Sequence, residues 1–342
     1  MSTLRADELP PYEWHLPPGF PRPAVPPDNP MSAPKVALGR RLFFEARLSA
    51  TGRYSCASCH RPELAYTDGK ARAVGATGES VRRAAMSLTN VAYNPAFTWG
   101  DARIDSLEAQ MRQPLFGEHP LEMGLHKDGA PAMSAIAQDG SYAAEFAAAF
   151  PGNPAPVTIE HAIKAIAAFE RTLISGRAPF DRYVFDDDRD ALSESAKRGM
   201  ALFYSVRVGC AQCHFGINFS GPLIYEGHTK AHAIYANTGL YDLDGRGAYP
   251  ATDQGLMETT HRAADMGKFR VPTLRNLALT APYMHDGSVS TLDGVLDHYA
   301  TGGHRSPRQD PKVRPFILTN AERRDLIAFL GSLTDPEFAK PP

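Results

Sequence analysis

Two pentapeptides, Cys56-Ala57-Ser58-Cys59-His60 and Cys210-Ala211-Gln212-Cys213-His214, hold every cysteine of the 342-residue chain. Cys-x-x-Cys-His is the spacing at which two thiols form thioether bonds to one porphyrin while the adjacent imidazole reaches its iron as proximal ligand. The pair of motifs predicts two covalently attached haem c groups, one on Cys56, Cys59 and His60, the other on Cys210, Cys213 and His214. A single zinc site with four cysteine ligands is the competing reading, but it leaves the histidine after both pairs without a reason. With 12 histidines in the chain, independent placement puts one after both pairs with a probability of roughly one in a thousand.

Two porphyrins need two bodies to hold them. The length suits about two domains, and one motif falls in each half. The expected fold is mainly α: two cytochrome c-like helical domains over residues 31–185 and 186–335, an extended arm over 1–30 and a tail over 336–342. Prolines from Pro10 to Pro30 favour polyproline II in the arm. Ser32 and Pro34 open a helix through Leu38, Leu42 and Phe43 that leads into the first motif. Residues 66–80 read as loop and 86–129 as helix-poor. Thr158 caps a helix to Ser175, with Ile159, Ile163, Ile166 and Leu173 on one face. The acidic run Asp186–Asp190 reads as a solvated linker, and Ser193 caps the helix that delivers the second motif. Residues 216–255 are glycine-rich and without a readable pattern. A short helix is predicted from Thr291 to about Tyr299. Thr319-x-x-Glu322 is a capping box for a last helix burying Leu326, Ile327, Leu330 and Leu333.

The composition is 43% hydrophobic and 22% charged with a formal net charge of -2. That lacks the basic face a nucleic-acid binder needs, and no apolar run approaches the roughly 18 residues of a membrane helix. Neither nucleic acid nor a membrane span is therefore expected. No signal-peptide core follows Met1, whereas haem c is attached outside the cytoplasm. The expected location is the periplasm, for a mature chain whose leader has been removed.

The sixth ligands decide function. A haem that only passes electrons has both axial positions filled by protein, whereas one that acts on a small molecule keeps one open. No methionine follows Met284. The helix that could bring a ligand to the second haem offers His298 and Tyr299, with His304 just beyond. On chemistry alone histidine is the commoner choice, and a tyrosine near a haem is ordinarily packing.

Pro272-Thr273-Leu274-Arg275-Asn276, the stretch Leu279-Thr280-Ala281-Pro282-Tyr283-Met284-His285-Asp286-Gly287 and the two haem motifs resemble the bacterial di-haem cytochrome c peroxidase superfamily, including its MauG-like branch. The similarity runs from about Met31 to Leu333. It implies that Tyr299 stands where the peroxidases carry the methionine ligand of the second haem, a substitution the MauG-like branch shares. A phenolate is a hard, anionic donor that stabilises high-valent iron, whereas thioether sulfur favours the ferrous state.

The resemblance further implies an open first haem that binds hydrogen peroxide, with Gln110, Pro114 and Glu122 as distal elements and Glu122 as the acid/base. The Gln110–Glu122 spacing is longer than in the peroxidases, which makes His119 a distal competitor. Trp99 takes the family's place for an indole between the haems. The family also binds calcium between its domains, through one asparagine side chain and carbonyl oxygens equivalent to those of Thr280 and Pro282. The aligned asparagine position is Ala84 here, with Asn90 or water as substitutes.

Phe116-Gly-Glu-His-Pro120, Phe169-Glu-Arg-Thr-Leu-Ile-Ser175, Asn237-Thr-Gly-Leu-Tyr241 and Asp244-Gly-Arg-Gly-Ala-Tyr-Pro250 resemble most the subgroup encoded with methanobactin and copper-binding proteins, the MbnH type. The function this implies is peroxide-dependent oxidation of a tryptophan to kynurenine on a partner copper-binding (MbnP-like) protein. It would proceed by long-range electron transfer and a bis-Fe(IV)-type state. The alternative is a di-haem peroxidase that reduces hydrogen peroxide to water with electrons from a small redox protein. A plain electron carrier with both haems six-coordinate is the third reading.

Overall fold

Each haem motif follows a helix that starts on a hydroxyl cap. Ser32 and Ser193 accept backbone N–H groups at the starts of α1 (Ala33–Phe43) and of the helix Glu194–Phe203. The computed structural model describes residues 10–126 and 128–340; residues 1–9 of the expected arm, 341–342 of the expected tail and Lys127 lie outside the described residues. Among the described residues ten further α-helices follow α1. They are α2 (Cys56–Cys59), α3 (Leu107–Phe116), α4 (Ala130–Ala137), α5 (Gly140–Ala149), α6 (Ile159–Glu170), α7 (Pro179–Phe185), α8 (Glu194–Phe203), α9 (Met257–Thr260), α10 (Leu292–Thr301) and α11 (Asn320–Gly331). One antiparallel ribbon pairs β1 (Tyr235–Ala236) with β2 (Phe269–Arg270), Tyr235 opposite Arg270. The fold is mainly helical, as expected. No described helix is long and apolar enough to cross a membrane.

The two halves solve one packing problem in one way. In the first, α1 lies on α6; in the second, α8 lies on α11. Both crossings bring backbones together at a glycine. A Cβ on Gly39 would stand 1.8 Å from the Ala165 carbonyl oxygen, and one on Gly199 would stand 1.9 Å from that of Asp325. Leu38, Leu42, Phe43, Phe146, Ile163 and Ile166 fill the first core. Phe180, Phe203, Phe219, Leu326 and Phe329 fill the second. Phe180 belongs to α7, so the second core begins upstream of the exposed Asp186–Asp190 segment.

Three local expectations change. The stretch 86–129 contains the ten-residue α3 in spite of Pro114, because Ser106 caps it and Met111 and Leu115 are buried along it. The helix begun at Thr158 ends at Glu170 instead of Ser175, whose N–H goes to the Asn90 side chain. Ile327 is only half-buried, while Phe329 takes the core position beside Leu326 and Leu330.

The described part of the arm is extended and ties the halves together. Phe20 sits edge-on to Tyr93 and Phe185, Tyr93 Oη donates to the Pro21 carbonyl, and Glu226 N donates to that of Arg22. Beneath Phe20 lies a fully buried ion pair, Arg275–Asp181, with exposures of 0% and 2% and two parallel 2.8 Å hydrogen bonds. Removing one member of such a pair strands the other charge. Asp181→Ala is therefore expected to destabilise the holoprotein by about 3–5 kcal/mol. Denaturant unfolding measures it, and an unchanged midpoint would contradict this reading of the pair.

Candidate haem sites

Each Cys-x-x-Cys-His motif opens onto its own cavity. Cys56, Cys59 and His60 line one of about 460 Å3; Cys210, Cys213 and His214 line another of about 260 Å3. The motif histidines are oriented alike. His60 Nδ1–H donates to the Tyr66 carbonyl at 2.9 Å and His214 Nδ1–H to that of Phe219 at 2.8 Å. A carbonyl can only accept, so this contact fixes the tautomer and leaves each Nε2 as a lone-pair donor. Burial lowers both imidazole pKa values and favours that neutral form.

A paired thiol and a neutral imidazole on the wall of a largely apolar cavity fit a haem c. They do not fit one zinc ion with four cysteines, because the pairs lie in separate cavities. No group of three or more His, Cys, Asp or Glu side chains gathers as a metal cluster among the described residues.

The walls differ. Gln110, Pro114, His119 and Glu122 all line the first cavity, facing the space that Cys56, Cys59 and His60 open onto. Glu122 is held by its backbone: Ala76 N donates to its carbonyl, Met123 N to that of Pro114, and Leu121 N to the Glu79 carboxylate. Its side chain is half-buried, and burial raises its pKa above the ordinary carboxylate range. His119 reaches the same cavity from an exposed position.

In the second cavity Tyr299, near the end of α10, lies on the wall. Neither His298 nor His304 does; His298 Nε2 instead meets the Thr238 carbonyl at 3.1 Å. Of the three ligands the sequence offered there, only the tyrosine shares the space of His214. Burial pushes its hydroxyl pKa up strongly, so its phenolate needs a cation beside it. Met284, at φ 72°, lies on the same wall.

Trp99 lines both cavities. Its indole Nε1–H donates to the Ala84 carbonyl at 2.9 Å, and its own carbonyl accepts from Arg270 N at 2.8 Å. The ring is thereby pinned between the two spaces by its neighbours in both halves.

The calcium ligand set is poor. Thr280 and Pro282 lie on the second cavity, but Ala84 has no oxygen in its side chain, and the Asn90 amide is engaged in both directions with the Ser175 backbone. The side-chain oxygen of the expected set is therefore missing, and two carbonyls fall well short of the 6–8 oxygens that calcium takes. The residues present do not fit it.

Two wall residues were not singled out from the sequence. Glu170 is 6% exposed on the first cavity, one carboxyl oxygen has no partner, and burial raises its pKa to about 8. Its signal was a carboxylate on the apolar stripe of α6, one turn beyond Ile166 and two beyond Ile163. Arg270 lines both cavities; its signal was a charge between the apolar, buried Phe269 and Val271.

Residues 33–189 match the family model described as di-haem cytochrome c peroxidase. The chain is 40% identical to the methylamine utilization protein MauG of Methylorubrum extorquens, over 89% of this chain and 79% of that protein. It is 35% identical to the cytochrome-c peroxidase IdrP1 of Pseudomonas sp. (strain SCT), over 98% and 89% respectively. Among solved structures, a MauG-like protein associated with microbial copper homeostasis superposes with a TM-score of 0.94 at 40% identity, covering 97% of this chain and 98% of that one.

Proposed function

This chain belongs to the di-haem cytochrome c peroxidase family and is an oxidoreductase, and from that premise we propose that it uses hydrogen peroxide to oxidise a tryptophan of a partner copper-binding protein to kynurenine. Cys56 and Cys59, and Cys210 and Cys213, carry covalent haem c, with His60 and His214 as proximal ligands. Each haem, when bound, would supply a redox-active iron. Tyr299 closes the second site. The first stays open to peroxide beside Gln110, Pro114 and Glu122.

Glu122 takes a proton from the incoming peroxide and returns it to the departing oxygen, the work of a positioned carboxylate. Trp99, lying against both cavities, provides an aromatic ring through which the two sites communicate. A folded protein cannot enter either cavity, so its electrons must be drawn out through this enzyme. Conversion of tryptophan to N-formylkynurenine is a four-electron oxidation: two equivalents of peroxide accept the four electrons with four protons and leave as four waters, two waters at the partner supply the inserted oxygen atoms and release four protons, and hydrolysis then releases formate.

The observation that carries this reading is Tyr299 on the wall of the second cavity. A site closed by a phenolate favours oxidised metal and accepts electrons from a soluble cytochrome poorly. The similarity to the MauG-like protein associated with microbial copper homeostasis supports the copper connection, and with it the reading of an MbnH-type enzyme that acts on an MbnP-like partner in the periplasm. Intact-mass and absorption measurements on such a partner test it. Peroxide plus holoprotein is expected to yield kynurenine at a tryptophan, and replacing that tryptophan by phenylalanine to abolish it. An unmodified partner with rapid turnover of a ferrocytochrome would favour the peroxidase reading.

A further inference from the structure

Two arginines near the middle of the molecule are buried in different company. Arg275 is answered by Asp181 and by the Ile217 carbonyl. Arg270 is 6% exposed, yet among the described residues no carboxylate lies within ion-pair distance of it. Its Nη2 reaches only the Met86 sulfur at 3.7 Å, a weak acceptor, and its Nε has no acceptor. Its backbone is not free to swing away: Arg270 N donates to the Trp99 carbonyl, and the residue pairs with Tyr235 in the β1–β2 ribbon. Burial pulls its pKa down to about 10, the mark of a cation whose charge the chain does not compensate. A buried charge without a partner is costly, and this chain supplied one to Arg275.

The guanidinium lies on the walls of both cavities, together with Trp99, Met86 and Ala84. Among the described residues, the wall of the second cavity carries no carboxylate but three cations, Arg270, Lys312 and Arg314. Haem c keeps its propionate carboxylates after its vinyl groups have reacted with cysteine. A planar guanidinium matches a carboxylate bidentately. We infer that Arg270 is a carboxylate-binding cation shared by the two haem cavities, holding propionates between the halves and providing there the fixed positive charge for which calcium finds no ligand set. This rests on the haem reading above but not on the identity of the protein substrate. By the same bonds, Arg270 couples the placing of the haems to the carbonyl of Trp99.

The test is spectroelectrochemical titration of both haems in the wild-type holoprotein, R270Q and R270K, with calcium added and with a calcium chelator. Removing the positive charge leaves carboxylates unanswered and favours ferric over ferrous iron. R270Q is therefore expected to shift both midpoints to lower potential, and R270K to recover part of the shift. Chelation is expected to leave wild-type spectra and potentials unchanged. Unaltered midpoints in R270Q, or a stoichiometric calcium whose removal shifts either haem, overturn the proposal. Should R270Q fail to assemble, redox-difference infrared spectra of wild-type protein with heavy-nitrogen-labelled arginine decide: a guanidinium band that moves on reduction of each haem is expected, and none moving overturns it. A haemochromogen assay finding no covalent haem would instead overturn the reading on which it rests.

Discussion

Glu122→Gln is expected to slow peroxide consumption roughly a hundred- to ten-thousand-fold, the usual worth of a positioned acid/base. Glutamine keeps the volume and the half-buried packing, and the backbone bonds that hold the turn do not involve the side chain. What is lost is the ability to take and return a proton. The pH profile carries the same signature. Burial raises the Glu122 pKa, so the carboxylate needed to accept a proton is populated only above the ordinary carboxylate range, and wild-type rates should rise with pH through that raised value. The variant should lose this limb.

Stability should move the other way. An acid whose folded pKa is raised stabilises the fold below its unfolded pKa and loses that contribution as pH rises through the folded value. At neutral pH the ionised form is a burden that glutamine removes, so the variant should unfold at no lower temperature than the parent. Stopped-flow peroxide loss and thermal unfolding across pH check both statements. A wild-type rate in the variant would pass the role to His119 on the same wall.

Tyr299→Phe should abolish the low-spin, six-coordinate spectrum of the second haem and leave peroxide binding at the first site intact. The separation follows from the cavities, since Tyr299 lines only the second. Burial holds its hydroxyl protonated unless a cation draws the proton off; a phenolate absorption band is thus a direct report of ligation. Oxidation of the partner should fall by at least the roughly 10–100-fold that loss of a mere outer-shell group costs at a metal site. An unchanged low-spin spectrum would show that another group closes the site, and Met284 shares its wall.

Much of this was legible because covalent and capping chemistry is local. Two thiols and an imidazole must sit at one spacing to serve one porphyrin, and the hydroxyls of Ser32, Thr158, Ser193, Thr291 and Thr319 each begin the helix expected of them. Helix α3 was hidden by Pro114, whose cost falls in the last turn, where little helix remains to break. The glycine-rich 216–255 has no periodicity because its order comes from side chains reaching backbone. Asn237 accepts from Gly239 N and from Tyr249 Oη, and donates to the Met266 carbonyl.

Chemistry alone favoured histidine at the second haem. The register of α10, with His298 turned to Thr238 and Tyr299 to the cavity, is settled only by packing against distant segments. Arg270 was harder still, since lacking a partner is a property of the folded surroundings and not of any run of residues.

The most direct measurement mixes the diferric holoprotein with hydrogen peroxide and the copper-binding partner, with no reductant present, and follows the haem absorption and the partner's mass together. The account predicts a long-lived oxidised spectrum that decays as kynurenine appears in the partner. A protein that consumes peroxide only after one haem has been reduced, and leaves the partner unchanged, would contradict it.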